Sequence, residues 1–509
     1  MSLHMQTRVA SALQIRPGEG RTVTLLLLHS LFVGIVQLFT TRAAQPLFLV
    51  SFGAQNLPYL YIGSAVATTV VGVLYARLAA RIVFSTLLVV NLGALLLSTC
   101  VLRLLLWLPG VRWPIMLLAI WDSVQYVLIN LEFWGLAGRL FNVRQSKRLF
   151  GLIGSAEVIA TIGFGLLTPA LVRLVGTPNL LWIAAGGLAG ALLCLISLAR
   201  ARADALTVPA EDDQEVASTG TYRGLLKNWY VALIVAFTSL SWLGWYVVDT
   251  LFYNEVAARY AREDQLASFL GVFGAISGCL TLVSRTVVTG PVISRYGLVV
   301  GLLACPVLVA ASAAVVAVSG TVVGAGLLVF WLALLTKLAS DVLEASIHRS
   351  SFLVLYQPLA PRQRLRVQTT VETLAEPVAV ACAGVVLLVL INLLGFGAIQ
   401  LAYVAVAILL VMSAVGVVLG RAYPAALLQA LTKRRLGSHT LTLVDRSTVA
   451  VLQEGLRSPH VGVVLYSLDQ LEAIPHASFV ASLQDLLSHP APAIRRDVLL
   501  RIERLGLRV

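Results

Sequence analysis

The sequence predicts an all-α polytopic membrane protein: twelve transmembrane helices in two six-helix halves, followed by a cytoplasmic tail of short helices. Three observations predict it. Of 509 residues, 59% are hydrophobic and 12% charged, against about 25% charged in ordinary soluble domains, and the mean hydropathy is +0.89. Residues 22–420 form a succession of apolar stretches, each about the 20 residues that cross a bilayer as a helix. Basic residues fall mainly on one side of the resulting map. This composition excludes a disordered chain and a disulfide-stapled secreted module.

The expected spans are 22–50, 57–76, 82–107, 114–140, 148–172, 180–199, 229–253, 266–290, 297–318, 321–347, 368–393 and 397–420. Helix follows because hydrocarbon offers no partner to an open strand's amides, and the runs lack the alternation of a barrel. Arg8, Arg16 and Arg21 precede the first span without a small-residue cleavage site. It therefore reads as a retained span and not as a signal peptide. With residues 1–21 placed in the cytoplasm, the N-terminal tail and cytoplasmic loops carry eighteen Lys and Arg residues. The opposite loops carry five: Arg103, Arg112, Arg173, Arg259 and Arg262. That asymmetry puts both termini in the cytoplasm of a bacterial inner membrane. It also accounts for the formal charge of +13 through loops lying on anionic lipid, so membrane lipid and not nucleic acid is the expected partner.

Residues 200–228 gather Pro209, Glu211, Asp212, Asp213, Glu215 and Gly220 and read as a cytoplasmic linker between halves 22–199 and 229–420. The halves echo each other. Arg144-Gln145-Ser146-Lys147-Arg148 enters the fifth span and Arg362-Gln363-Arg364-Leu365-Arg366 the eleventh. Two six-span units about a basic middle loop are the layout of the major facilitator fold. Gly151, Gly154, Gly163 and Gly165 in the fifth span, and Gly271, Gly274 and Gly278 in the eighth, allow close helix approach, either where the halves rock or as ordinary membrane packing.

The five cysteines, 100, 194, 279, 305 and 382, lie in apolar runs and read as buried small hydrophobes. No histidine or cysteine spacing suits a metal, no Gly-rich lysine loop suits ATP, and no nucleophile–base order stands out. The expectation is a non-enzyme without cofactor or metal. Residues 421–509 are more polar. Pro459 and Pro490, 31 residues apart, each open a turn between helix-like segments, as in HEAT-type repeats that are stable only when stacked. The tail either packs on the membrane domain or continues in a longer natural chain, and it offers a surface for a cytoplasmic protein partner.

Ionised groups in hydrocarbon are costly and mark candidate sites. The spans hold eight acids (Asp122, Glu132, Glu157, Asp249, Asp341, Glu344, Glu372, Glu376) and three bases (Arg42, Arg285, Lys337). Lys337, Asp341, Glu344 and His348 form one helical stripe, and Lys337 and Asp341, at i and i+4, can pair directly. Glu372 and Glu376 are also i and i+4. They either repel as a proton-carrying pair or are answered by Arg362, Arg364 or Arg366.

Several short motifs resemble those of the ATP/ADP-translocase type of nucleotide transporter, including its bacterial branch with HEAT repeats. Arg42-Ala43-Ala44-Gln45-Pro46 stands where that family has R-D-T-K-D. Leu131-Glu132-Phe133-Trp134-Gly135 matches A-E-x-W-G, and Ser146-Lys147-Arg148-Leu149-Phe150 matches an A-K-R-F-Y run. Asp249-Thr250-Leu251-Phe252-Tyr253 answers E-V-T-W-K, Tyr356-Gln357-Pro358-Leu359 answers Tyr-x-Pro-Leu, and Glu372 to Glu376-Pro377 answers D-x-x-x-N-P. The resemblance implies a nucleotide exchanger with its site near the membrane centre. It carries the acids over to Glu132, Asp249 and Glu372. The family's lysines are replaced by Gln45, Tyr253 and Val380. Phosphate recognition needs Lys or Arg, and the acid excess here disfavours ATP/ADP exchange, leaving a less charged anion or a zwitterion.

The sequence therefore reads as a secondary active transporter of a small polar solute. Arg42, Gln45, Glu132, Asp249, Tyr253, Lys337, Asp341, Glu372 and Glu376 are the expected substrate or coupling-ion contacts. A membrane sensor or scaffold acting through residues 422–509 is the second reading, and ATP/ADP exchange proper the third.

Overall fold

The computed structural model describes residues 19–141, 143–201, 228–324, 326–359, 361–432, 452–457, 461–472 and 478–505. The expected N-terminal tail up to residue 18 lies outside the described residues, as do most of the expected linker (202–227) and the Pro459 turn. So do the side chains of Arg144, Lys147 and Arg362. Among the described residues every regular element is helical.

Six helices form the first part of the bundle: α1 Gly20–Phe52, α2 Leu57–Ala79, α3 Phe84–Leu105, α4 Trp113–Leu140, α5 Val143–Val175 and α6 Leu180–Ala201. Gly53 and Gly176 make the sharp turns after α1 and α5 with φ of 78° and 80°, a region costly for residues with a Cβ. The second part begins with α7 Trp229–Arg259, started by the Asn228 side chain, which accepts the Tyr230 amide at 3.0 Å. α8 Glu263–Val283 runs through a π-helical turn, Ser284–Val288, into α9 Thr289–Val323. This 61-residue stretch breaks at Gly297, whose φ of 84° is not helical. α10 Leu327–Leu343 continues through a second π turn, Glu344–His348, into α11 Arg349–Val354. α12 Pro361–Thr370, a third π turn Val371–Ala375, α13 Glu376–Leu388 and α14 Ala398–Thr432 complete the bundle. Ten helical stretches are long and apolar enough to cross a membrane.

The two parts meet chiefly along two helix pairs, α5 with α8 and α2 with α13, with α1 also packed on α8. Glycines set the approach at particular points. A Cβ on Gly165 would stand 2.9 Å from the Gly271 carbonyl oxygen, and one on Gly384 2.6 Å from Ile62. Gly151 and Gly163 face no atom within 4 Å, so they do not serve the close packing expected of them. At the same end of the bundle the Thr177 amide and hydroxyl donate to Asp264 Oδ1 at 3.2 and 2.7 Å. Asn392 Nδ2 donates there to the Tyr59 hydroxyl at 3.2 Å.

Two expectations are corrected. The last long helix does not stop at residue 420 but runs to Thr432. Its Tyr423 and Leu427 are buried in an apolar cluster with Leu452, Val463 and Leu468 of the tail, which prolongs the helix beyond the hydrocarbon run. The tail helices are α15 Val461–Glu472, α16 Ser478–Leu486 and α17 Pro492–Leu505. The cysteines are not uniformly buried: Cys194 and Cys305 are, Cys100 is half-buried, and Cys279 and Cys382 lie exposed on their helices. A helix face turned to lipid accepts an apolar thiol without burial.

Candidate functional site

Lys337 organises the most charged part of the bundle interior. Its Nζ lies 2.7 Å from Asp249 Oδ1 on α7 and 2.9 Å from Asp341 Oδ1 one turn along α10. It also stands 3.9 Å from the centre of the Trp245 ring, whose Nε1 donates to Asp341 at 3.2 Å. The second Asp249 oxygen accepts the Tyr61 hydroxyl at 2.9 Å. Tyr61 belongs to α2, so this bond crosses from the first part of the bundle to the second. One ammonium between two carboxylates leaves a net negative charge, offset by the phenol and indole donors. Such a buried group persists only because each ion has partners.

Arg42 on α1 is differently placed. Its Nη1 donates to Gln45 Oε1 at a long 3.4 Å, and its Nε is buried without any hydrogen-bond partner. Among the described residues no carboxylate lies within ion-pair distance of it. Its polar neighbours are Tyr253, Asp122 and Asp341. Asp122 on α4 accepts the Thr41 hydroxyl at 2.9 Å instead. Gly274 on α8 makes the room: a Cβ there would stand 2.5 Å from Arg42 Nη2.

At about 1.5 Å per residue, Arg42, Asp122, Tyr253 and Lys337 lie roughly 9–15 Å from the Phe52, Trp113, Arg259 and Leu327 ends of their helices. They therefore share one depth, near the middle of a bilayer-sized bundle. The pattern repeats with its sign reversed: the first helix of the first part brings a cation and the fourth an acid, while α7 brings an acid and α10 a cation.

Glu132 does not join this group. It is fully buried on α4, and its Oε2 meets Nε2 of His29 at 3.0 Å; His29 Nδ1 bonds the Ala191 carbonyl. His29 is thirteen residues before Arg42 on α1, roughly 20 Å along the helix. Glu132 Oε1 has no partner. Glu372 is exposed and accepts from Gln368 at 3.2 Å. Glu376 is half-buried among Glu372, Arg349 and Trp242, so among the described residues Arg349 is a base acting on it; the side chain of Arg362, one of the expected loop arginines, lies outside the described residues. Sequence spacing found Lys337–Asp341 but missed Tyr61, Trp245 and His29, whose partners come from other helices.

A further gathering involves Cys305 on α9 with Glu344 and His348 on the second π turn, their ligand atoms all within 4.8 Å of one another.

Comparison of the sequence with protein families and with curated proteins finds no match. Solved structures do match. A bacterial homologue of the iron transporter ferroportin, in an inward-facing state, superposes with a TM-score of 0.60 at 14% identity, covering 79% of this chain and 98% of its own. A POT family transporter in complex with 5-aminolevulinic acid gives 0.56 at 14%, with 79% and 96% covered. An aspartate-to-alanine mutant of the nucleoside transporter NupG gives 0.55 at 14%, with 79% and 99% covered. The fold is major-facilitator-like. A chain with this fold and these apolar helices is a multi-pass membrane protein, and nearly the full length of each neighbour is represented in it.

Proposed function

We propose that this chain is a secondary active transporter with twelve spans, six on either side of the 200–228 linker, moving a small polar solute by alternating access. The count of twelve divides the 61-residue stretch at Gly297 and joins α10 to α11 through the π turn. Both termini are cytoplasmic, in the inner membrane of a bacterium. The observation that carries the reading is Arg42: a cation held between the two parts of the bundle, its Nε buried and unpartnered. Leaving such a donor unsatisfied is costly, and a carboxylate or similar anion on the solute supplies the partner. Asp249, Lys337 and Asp341 across the interface are placed to meet a cationic group, so a zwitterion or organic anion fits best, with Gln45 and Tyr253 as hydrogen-bonding contacts. A solute of the nucleotide class remains within this reading, but ATP/ADP exchange ranks below it, because the polyphosphate would face two aspartates on Lys337.

Reconstituted protein tests this. Uptake of labelled amino acids, organic acids and nucleotides is measured in proteoliposomes with and without a proton gradient. Arg42→Ala should weaken solute binding roughly tenfold to hundredfold, the worth of a charge-assisted hydrogen bond, while Arg42→Lys retains part of it. Unchanged uptake in Arg42→Ala and Asp249→Asn alike would remove the assigned roles.

The tail supports a second, compatible role. Its helices α15 and α17 begin 31 residues apart, the spacing of a helical repeat of the HEAT kind, and Leu499 and Leu500 stay exposed. Binding of a cytoplasmic protein there would make the chain a sensor or scaffold.

A further inference from the structure

We propose that Cys305, Glu344 and His348 form a binding site for a divalent d-block cation, Zn²⁺ or Fe²⁺, separate from the solute site. The three residues come from elements brought together only by the fold. Cys305 lies in the middle of α9, beside Pro306, and is buried. Glu344 and His348 bracket the π turn that follows α10. A π turn holds more residues than an α turn, so positions four apart fall nearly one above the other and both side chains face α9.

The spacing fits a cation better than it fits a hydrogen-bonded cluster. Glu344 Oε2 is the hub. It stands 3.9 Å from Cys305 Sγ, 3.6 Å from His348 Nε2 and 3.5 Å from Ser241 Oγ, and that hydroxyl is in turn 3.5 Å from Nε2. Good hydrogen bonds to oxygen from N–H or O–H donors are shorter, about 2.7–3.2 Å. The groups therefore surround a common centre without closing on one another. Around a tetrahedral zinc, with bonds of about 2.0–2.3 Å, the ligand-to-ligand edges are about 3.4–3.6 Å. The edges through Glu344 and Ser241 come within a few tenths of an ångström of this, and the ligand atoms of Cys305 and His348 lie within 4.8 Å of each other, close enough for a small contraction onto a cation. His348 is fixed by stacking on Phe237 and Phe352, at 5.3 and 6.2 Å between ring centres, so its ring cannot readily turn away.

The ligand set names the class. One sulfur, one nitrogen and one carboxylate oxygen suit Zn²⁺ or Fe²⁺, whereas Mg²⁺ and Ca²⁺ take all-oxygen cages. A dication bound by a thiolate, a carboxylate and a neutral imidazole leaves the site uncharged, and the Glu344 side chain, 36% exposed, leaves one side of it open. Ser241 from α7 stands where a fourth ligand, or a hydroxyl orienting a water, is needed. At about 1.5 Å per residue, Glu344 lies roughly 10 Å further along α10 than Lys337, so this site and the Lys337 cluster are distinct.

The test uses the full chain in detergent, stripped of metal and titrated with Zn²⁺ and with Co²⁺ as a spectroscopic substitute. One cation per chain should be retained after dialysis, and the Co²⁺ form should show a thiolate-to-metal charge-transfer band. Cys305→Ser should abolish the band and weaken binding at least tenfold. Glu344→Gln and His348→Gln should also weaken it at least tenfold, and Cys194→Ser should change nothing. Thermal melts of the metal-free variants identify any that fail to fold, and the remaining variants then decide. Retention of no metal by the wild-type chain, or an undiminished band and affinity in folded Cys305→Ser or His348→Gln, overturns the site.

Discussion

Lys337 is the side chain on which the charged interior depends most. Removing it leaves Asp249 and Asp341 facing each other with no cation, and deleting one partner of a buried pair costs about 3–5 kcal/mol. Asp341 is a quarter exposed, so the lower part of that range applies. Lys337→Met should therefore lower the melting temperature in detergent markedly. Adding Asp249→Asn should return part of the loss, because the uncompensated carboxylate goes too; strictly additive losses would show that the two residues are not coupled. This cluster was half legible in the sequence. The i, i+4 relation of Lys337 and Asp341 can be read from spacing, since both lie on one helix. Asp249 stands 88 residues earlier, and nothing in the chain says that it takes the same ammonium. Glu132 shows the same limit. Its cost in an apolar helix marked it as functional, but the fold supplies His29, so its charge is answered locally and far from Arg42.

The helices themselves were read well from apolar length, because a bilayer fixes that length, and their ends were read less well. The π turns at Ser284–Val288, Glu344–His348 and Val371–Ala375 left no pattern in hydropathy, since one extra residue per turn is invisible in a 20-residue average. They rotate the side chains that follow. The predicted stripe from Lys337 to His348 divides into two clusters because Glu344 lies roughly 10 Å beyond Lys337 along the helix, where Cys305 and not Asp249 faces it. The helix pairs that join the two parts carry a separate consequence. Gly384 lets α13 approach Pro58 and Ile62 of α2, at the end of the bundle where Thr177 meets Asp264. A leucine there overpacks the contact, at a cost of about 1–3 kcal/mol. If the two parts move as rigid bodies, the other pair, α5 with α8, must open as well. Thr168, now fully buried against Gly271, reports it. In a background lacking the exposed Cys279 and Cys382, Thr168→Cys should react faster with a thiol reagent when Gly384→Leu is present. Equal rates would mean that the two helix pairs open independently.

At the scale of the whole molecule, the tail is attached to the later helices of the bundle. Tyr423 and Leu427 of α14 share an apolar cluster with Leu452, Val463 and Leu468. Within the tail, Arg501 is buried between α15 and α17, holding Glu472 and Asp497 at 2.5 Å each and Asp469 as well. Burial alone would weaken its hold on the proton, but the hydrogen bonds it donates to Asp497 and Asp469 outweigh this and push the guanidinium above its ordinary value. It stays charged at every pH the protein meets, so the clasp keeps its cation. A tail so fastened should travel with the later helices as one body while the first six rock against it. Spin labels give the measurement. A pair at Asp485 and Arg295 spans the tail and the α9 side, and a pair at Asp485 and Arg81 spans the tail and the first part of the bundle; all three positions are exposed. When an accepted solute is added, the first distance should hold and the second should shift by several ångströms, as domain motions of this kind do. A shift in the first distance with the second unmoved would attach the tail to the wrong side. Constancy of both under turnover would mean that this bundle does not rock, and alternating access would fail with it.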